Sequence, residues 1–289
     1  MCRLFGLSAA PERVHATFWL LEAPDSLAAQ SRREPDGTGL GIFDEQGTPR
    51  VWKQPFAAYE DKQFACEAKE CASTTFLAHI RYASTGGLEP ANTHPFAQHA
   101  RLFAHNGVLG DLPRLEARLG EYRELVKGDT DSERFFALVT QEIDAHDGDV
   151  SAGITAAARW AALNLPVYAI NLVLTTADGL WALRYPDTHD LYVLQRCAGG
   201  PHGDRHLEHA SAAGRIRARS SGLARHRAAV VASERMDEDP GWQNLRPGEL
   251  LHVGADLTAT RRIVLEQPPR HPLTLDDLGA HAAASQQGQ

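Results

Sequence analysis

Strand-forming stretches of this chain come in runs joined by tight turns, and helix-forming stretches come in blocks between those runs. Strict alternation of strand and helix would favour a parallel sheet. The grouping found here calls for antiparallel sheets covered by helices, an α+β architecture. The plainest hairpin joins 167–174 to 180–184 across Ala177-Asp178-Gly179, and 37–43 returns at 49–53 after Glu45-Gln46-Gly47. β-branched and aromatic residues mark 74–82 as another strand. Further strands are expected at 190–195, 228–233, 249–254 and 260–265. Helices are expected at 13–23, 25–33 with Asp25 or Ser26 as cap, 59–71, 111–119, 132–146 and 150–163.

The chain start is unusual within that plan. Cys2-Arg3-Leu4-Phe5-Gly6-Leu7-Ser8 is apolar and partly alternating, so a strand begins almost at the terminus. Chain ends fray unless something ties them down, and the residue held here is a cysteine. A polar loop from Ser84 to Pro95 precedes a brief strand, 102–104, that should end in a turn at His105-Asn106-Gly107. Residues 199–227 are rich in Gly, Ser, His and Arg, and helix and loop do not separate there; Gly279–Gln289 reads as a disordered tail. With no internal repeat and no linker, the expected organisation is one domain over 2–270 and a partly disordered tail over 271–289.

Composition removes several classes of function. With 43% hydrophobic residues among 289, the chain can fill a large core. A formal charge of -8 argues against a sequence-independent nucleic-acid binder and leaves a small-molecule or protein partner. No run nears the roughly 18 apolar residues needed to cross a bilayer, and no signal peptide opens the chain, so a cytoplasmic protein with no membrane partner is expected. Cys66, Cys71 and Cys197 form neither a disulfide framework nor a zinc spacing and read as small buried or half-buried thiols. Gly37, Gly39 and Gly41 precede a strand and not a helix, unlike a dinucleotide loop. His202, His206 and His209 lack a supporting carboxylate or cysteine and read as a surface loop. No metal and no cofactor is called for.

The chemistry centres on Cys2. If Met1 is removed, thiol and free α-amine share one residue, and such an amine titrates near pH 8 in model compounds. It can take the thiol proton and later pass it to a leaving amine. Fourteen histidines leave a Cys-His arrangement open as well. Attack on an amide creates an oxyanion, for which the Asn106 side chain and the Gly107 N–H are candidate donors. An amino-acid head group needs a cation and an anion. Arg81 offers a planar fork for a carboxylate, and Asp131 offers the anion, although Asp129-Thr130-Asp131-Ser132 is also ordinary capping sequence.

In order along the chain, Met1-Cys2-Arg3-Leu4-Phe5-Gly6, Arg33-Glu34-Pro35-Asp36-Gly37-Thr38-Gly39, His79-Ile80-Arg81-Tyr82-Ala83-Ser84, Asn92-Thr93-His94-Pro95, Phe103-Ala104-His105-Asn106-Gly107 and Gly128-Asp129-Thr130-Asp131-Ser132-Glu133 resemble the class II glutamine amidotransferase family. The resemblance implies an Ntn-hydrolase four-layer α/β/β/α sandwich of two antiparallel sheets. It implies Cys2 as nucleophile, Asn106 and Gly107 as the oxyanion hole, Arg81 and Ser84 at the substrate carboxylate, Asp131 at the ammonium, and Arg33 as a support to the nucleophile region. Toward the C-terminal end, Val230-Val231-Ala232-Ser233-Glu234 and Pro247-Gly248-Glu249-Leu250-Leu251 are similar to the short stand-alone branch that begins Met-Cys-Arg. That branch includes γ-glutamyl hydrolases of ergothioneine biosynthesis and a subunit of glutathione breakdown. Thr38 departs from the branch, which usually carries Trp there, and puts the pocket shape in question.

The expected reaction is hydrolysis of the γ-amide of glutamine or a small-molecule γ-glutamyl compound through a Cys2 γ-glutamyl thioester, releasing glutamate and ammonia or an amine. The large fused members carry a synthase part that this chain lacks, so an alternative is a glutaminase subunit that supplies ammonia to a separate synthase partner protein. A third alternative is a non-enzymatic regulatory or ligand-binding subunit on the same fold.

Overall fold

A computed structural model describes residues 2–82, 87–199, 208–210, 217–219, 223 and 225–286. Two large sheets carry the chain. The first runs in the order Gln243–Asn244, Tyr192–Arg196, Ala228–Ala232, Arg3–Ser8, Thr75–Arg81, Gly37–Phe43 and Pro49–Gln54. The second runs Ala259–Ile263, Glu249–Val253, Leu180–Arg184, Pro166–Thr175, Arg101–Leu109 and Phe96–Gln98. Neighbours along both orders are antiparallel, and His271–Pro272 adds a parallel pairing to Pro166–Val167 at one end.

Helices α1 (Leu27–Gln30) and α2 (Lys62–Glu70) lie on the first sheet, while α3 (Leu112–Leu119), α4 (Asp131–Ala145) and α5 (Val150–Asn164) lie on the second. Side-chain alternation along each strand then builds three apolar layers. Leu4, Leu77, Leu102, Val173 and Val231 pack between the sheets. Phe5, Leu7, Leu40 and Phe76 face α1 and α2 with Trp19 and Phe64. Phe103 and Leu172 face α4 and α5 with Phe135, Phe136 and Ile154. The result is the four-layer sandwich expected from the sequence.

Asp61, Thr130 and Asp149 cap α2, α4 and α5 by accepting backbone N–H groups one turn on. Three stretches differ from expectation. Residues 13–23 are not one helix: Val14–His15 pairs with Ala72–Ser73, and Phe18–Glu22 forms a single π-helical turn. Phe18, Trp19 and Leu20 are buried in succession, which a continuous amphipathic helix on a surface would not permit. The strand expected at 102–104 continues through His105, Asn106 and Gly107 to Leu109. Ala280–Gln286 is helical (α6), with Ser285 and Gln286 buried and Gln286 Oε1 2.9 Å from His189 Nε2. Cys71 is half-buried as expected, but Cys66 and Cys197 are exposed. Among the described residues no helix is long and apolar enough to cross a membrane.

Candidate active site

The strand Arg3–Ser8 lies in the middle of the first sheet, paired on one side with Ala228–Ala232 and on the other with Thr75–Arg81. Ser233 closes the grip: its hydroxyl accepts the Leu4 N–H at 2.9 Å and its own N–H donates to the Leu4 carbonyl at 3.1 Å. Cys2 is therefore held at the mouth of the space between the sheets. The Tyr82 N–H donates to Cys2 Sγ at 3.2 Å, and the thiol is 3.2 Å from the Tyr82 carbonyl, which accepts. Burial pushes the thiol above its ordinary pKa, only partly offset by the Tyr82 N–H. Such a cysteine rests as a thiol and needs a base before it can attack.

Cys2 shares one cavity with His79, Arg81, Tyr82, Asn92, His94, His105, Gly107, Thr130, Asp131 and Ser132. The cavity holds about 20 Å³, room for roughly one water molecule, so any larger ligand has to widen it. Larger hollows of about 390 and 360 Å³ lie along α5 and the strand Ala259–Ile263, and no cysteine is among the described residues that line them.

Arg81 and His79, two apart on one strand, both point between the sheets. Arg81 is buried, and its Nη1 donates to the Gly87 carbonyl at 2.9 Å. Asp131 opens α4, where the helix dipole favours an anion, and its Oδ2 accepts the Leu109 N–H at 2.9 Å. Both charges act on the same space, since Asp131 and Cys2 each influence the Arg81 guanidinium. Asn106 enters from the second sheet, and its Nδ2 donates to the Cys2 carbonyl at 3.1 Å. Strand pairing thus brings together side chains that lie far apart in sequence.

Gly107 is required by contact and not by a turn. A Cβ there would lie 1.9 Å from the Ala169 carbonyl oxygen. Gly39 is similar, with the His94 carbonyl oxygen 1.9 Å from where its Cβ would be. That close approach seats His94 against His79, with ring centroids 4.2 Å apart. Burial holds His79 down to about 3 and His94 well below its ordinary value, and it lowers His105 as well. The floor of the site is therefore three neutral imidazoles. Their signal in the sequence was positional, since His79 precedes Arg81 by two and His105 precedes Gly107 by two.

Two of the expected residues stand apart. Arg33 is on the outer side of the strand, bonding Asp25 at 3.3 Å and Glu234 at 3.2 Å, and Glu234 in turn bonds Arg3 at 2.7 Å. Its link to Cys2 is indirect. Thr38 also faces outward, donating to the Phe56 carbonyl at 2.9 Å, and it does not line the cavity. Ser84, His202 and His206 lie outside the described residues, as does the side chain of His209. Among the described residues no group of three His, Cys, Asp or Glu side chains is disposed to hold a metal.

Two antiparallel sheets between helical layers, with a cysteine immediately before a central strand, make an Ntn-hydrolase fold. The chain belongs to the class II glutamine amidotransferases, whose family model matches residues 1–271. It is 30% identical over 275 residues to a gamma-glutamyl-hercynylcysteine sulfoxide hydrolase of Mycobacterium tuberculosis, covering 91% of this chain and 98% of that one. A protein of the same name from Mycolicibacterium smegmatis is 28% identical over 266 residues, covering 88% and 96%. Among solved structures, the allosteric regulatory enzyme of purine biosynthesis superposes with a TM-score of 0.64 at 18% identity, over 94% of this chain and 50% of that one. A class II domain protein from Silicibacter pomeroyi gives 0.56 at 22% identity, over 91% and 100%.

Proposed function

We propose that this chain, acting alone, hydrolyses a γ-glutamyl amide through a thioester on Cys2, releasing glutamate and an amine. The observation that carries it is the single cavity lined by Cys2, Arg81, Gly107 and Asp131, with Asn106 touching Cys2 from the opposite sheet. Full-length similarity to hydrolases named for a γ-glutamyl compound supports the stand-alone form.

With Met1 removed, the α-amine of Cys2 takes the thiol proton as sulfur attacks the amide carbon. The oxygen gains charge and turns to the Asn106 side chain and the Gly107 N–H. Collapse breaks the carbon–nitrogen bond, and the α-ammonium gives its proton to the leaving nitrogen. Water then attacks the thioester, the amine takes a proton from it, and the thiol is restored as glutamate departs. Arg81 receives the substrate α-carboxylate and Asp131 the α-ammonium, which fixes the reacting carbon over sulfur. The neutral histidines leave those two opposite charges to set the orientation.

The test is glutamate release from a panel of γ-glutamyl amides, glutamine included, by protein whose intact mass shows Met1 gone. Turnover of several γ-glutamyl compounds without a partner is expected. Turnover of glutamine alone, and only when a synthase is added, would sink the stand-alone hydrolase.

A further inference from the structure

The outer face of the N-terminal strand carries a cluster of charge that the reaction above does not use. Arg3 is buried, with its Nη2 2.7 Å from Glu234 Oε1 and its Nη1 3.5 Å from Glu34 Oε1. Arg33 joins Glu234 at 3.2 Å and Asp25 at 3.3 Å. Glu34 is the buried carboxylate of the group, with its side chain 4% exposed, against 38% for Glu234 and 31% for Asp25. Among the described residues, the ion pairs of this cluster thus join two guanidinium groups to three carboxylates. One positive charge balances the cluster, and the α-ammonium of Cys2 is a positive charge next in the chain to Arg3. Glu34 is also close enough to Cys2 that its charge acts on the thiol.

We propose that Glu34 is a positioning residue for the nucleophile: its buried carboxylate, held by Arg3, takes the α-ammonium of processed Cys2 and keeps that amine beside the thiol. This rests on the proposed function, in which the amine of Cys2 is the base. Proton transfer from sulfur to nitrogen turns a neutral pair into thiolate and ammonium, and a fixed anion on the ammonium side stabilises the cation that forms. Burial raises the Glu34 carboxyl above its ordinary value, the nearby terminal amine and the Arg3 guanidinium oppose that rise, and the carboxylate exchanges no proton in the reaction. The other charges facing the amine are Arg3, Arg33 and Glu234 on the outer side and Arg81 and Asp131 on the inner side. His189, which feels the Arg3 charge and contacts Gln286, sits in the same surroundings and is kept neutral by burial.

The experiment compares wild type with Glu34→Gln, Glu34→Asp and Glu234→Gln, each shown by mass to lack Met1 and by melting to be folded. The pH dependence is read twice, from kcat/KM with γ-glutamyl substrate and from iodoacetamide alkylation of Cys2 without substrate. Removing an anion beside an ammonium lowers the ammonium pKa, so Glu34→Gln should move the acidic limb of both profiles down by about one pH unit. It should also cut kcat/KM roughly tenfold as the amine loses its anchor. Glu34→Asp, with charge retained at shorter reach, should recover part of both effects. Glu234→Gln, which removes a more exposed and water-screened carboxylate, should move the limb much less than Glu34→Gln. An unmoved limb in Glu34→Gln, or an equal shift in Glu234→Gln, would overturn the assignment. If Glu34→Gln does not fold, an acidic limb and rate in Glu34→Asp identical to wild type would overturn it as well. Turnover that survived Cys2→Ala would instead remove the underlying reaction, so the two failures are separable.

Discussion

The two faces of the N-terminal strand solve opposite electrostatic problems one residue apart. Cys2 turns inward to a cavity with a neutral floor of histidines, where Arg81 and Asp131 are the charged groups among the described lining residues. Arg3 turns outward into a network of five charged groups, partly open to water. In the dry inner space each charge is felt strongly and can direct a substrate. On the outer side two guanidinium groups offset most of the charge of three carboxylates and fix the strand without selecting a substrate. Substitutions on the inner face should therefore act directly on rate and affinity, and those on the outer face chiefly on the position or stability of the strand, with Glu34 the exception because it is placed to reach the α-amine of Cys2.

The largest effect that could break this contrast belongs to Cys2→Ala. Turnover should fall on the order of 10⁴-fold or more while the melting temperature stays near wild type, because the sulfur's hydrogen bonds among the described residues run to the Tyr82 backbone and Ala leaves the strand pairing intact. Activity retained in that variant, assayed as glutamate release, would leave the inner face with no special chemistry. Asn106→Ala comes next. Loss of one oxyanion donor costs about 2.7–4 kcal/mol, or 10² to 10³ in kcat, and the effect should appear in kcat more than in KM. For Arg81→Ala the sign of that split reverses. A charge-assisted contact to a carboxylate contributes roughly 1.5–3 kcal/mol, so KM for a γ-glutamyl substrate should rise about 10- to 100-fold. An unchanged KM would remove Arg81 from the carboxylate site.

The neutral floor makes a prediction about acid. His79 is held down to about 3 in the folded protein, against about 6.5 in an unfolded chain. Between those values the unfolded state binds the extra proton, so stability falls as pH falls from 6.5 toward 3. The slope approaches about 1.4 kcal/mol per pH unit, which integrates to roughly 1.6 kcal/mol between pH 6.5 and 5. Urea unfolding at pH 6.5, 5.8 and 5.0 measures it, and His79→Gln should flatten the dependence. Equal slopes in variant and wild type would show that the floor is not what acid attacks.

Much of this was legible beforehand because the decisive signals were local or periodic. Hairpins, capped helices and the order of short motifs gave both sheets, and Cys2, Arg81, Asn106, Gly107 and Asp131 were singled out from those motifs. What escaped depended on contacts between segments distant in sequence. His105-Asn106-Gly107 looks like a turn because Asn-Gly favours one, yet two neighbouring strands claim it and Gly107 is there to let Ala169 approach. The stretch at 13–23 had helical spacing, but Val14 finds a partner strand at Ser73. Residues 280–286 have mostly small side chains without an apolar stripe, and the burial of Ser285 and the contact of Gln286 with His189 give them a place. Glu34 is one charge among many until folding buries it beside Arg3.

Thr38 gives the finest test of the division between faces. It occupies a position in the glycine-rich strand next to the site, where a bulky residue would be expected to wall the pocket. Yet its neighbours on the same face, Leu40 and Ile42, pack with the helices of the first sheet, and its hydroxyl is spent on the Phe56 carbonyl. Thr38→Val keeps the shape and removes only that hydrogen bond, so stability should fall by about 1 kcal/mol. With the side chain pointing away from Cys2, kcat/KM should stay within about twofold, because an outward contact of that size does not reach the reacting atoms. If kcat/KM instead fell tenfold at unchanged stability, the strand Gly37–Phe43 would be transmitting the outer contact into the cavity through its pairing with Thr75–Arg81. The two faces would then have to be treated as one coupled unit.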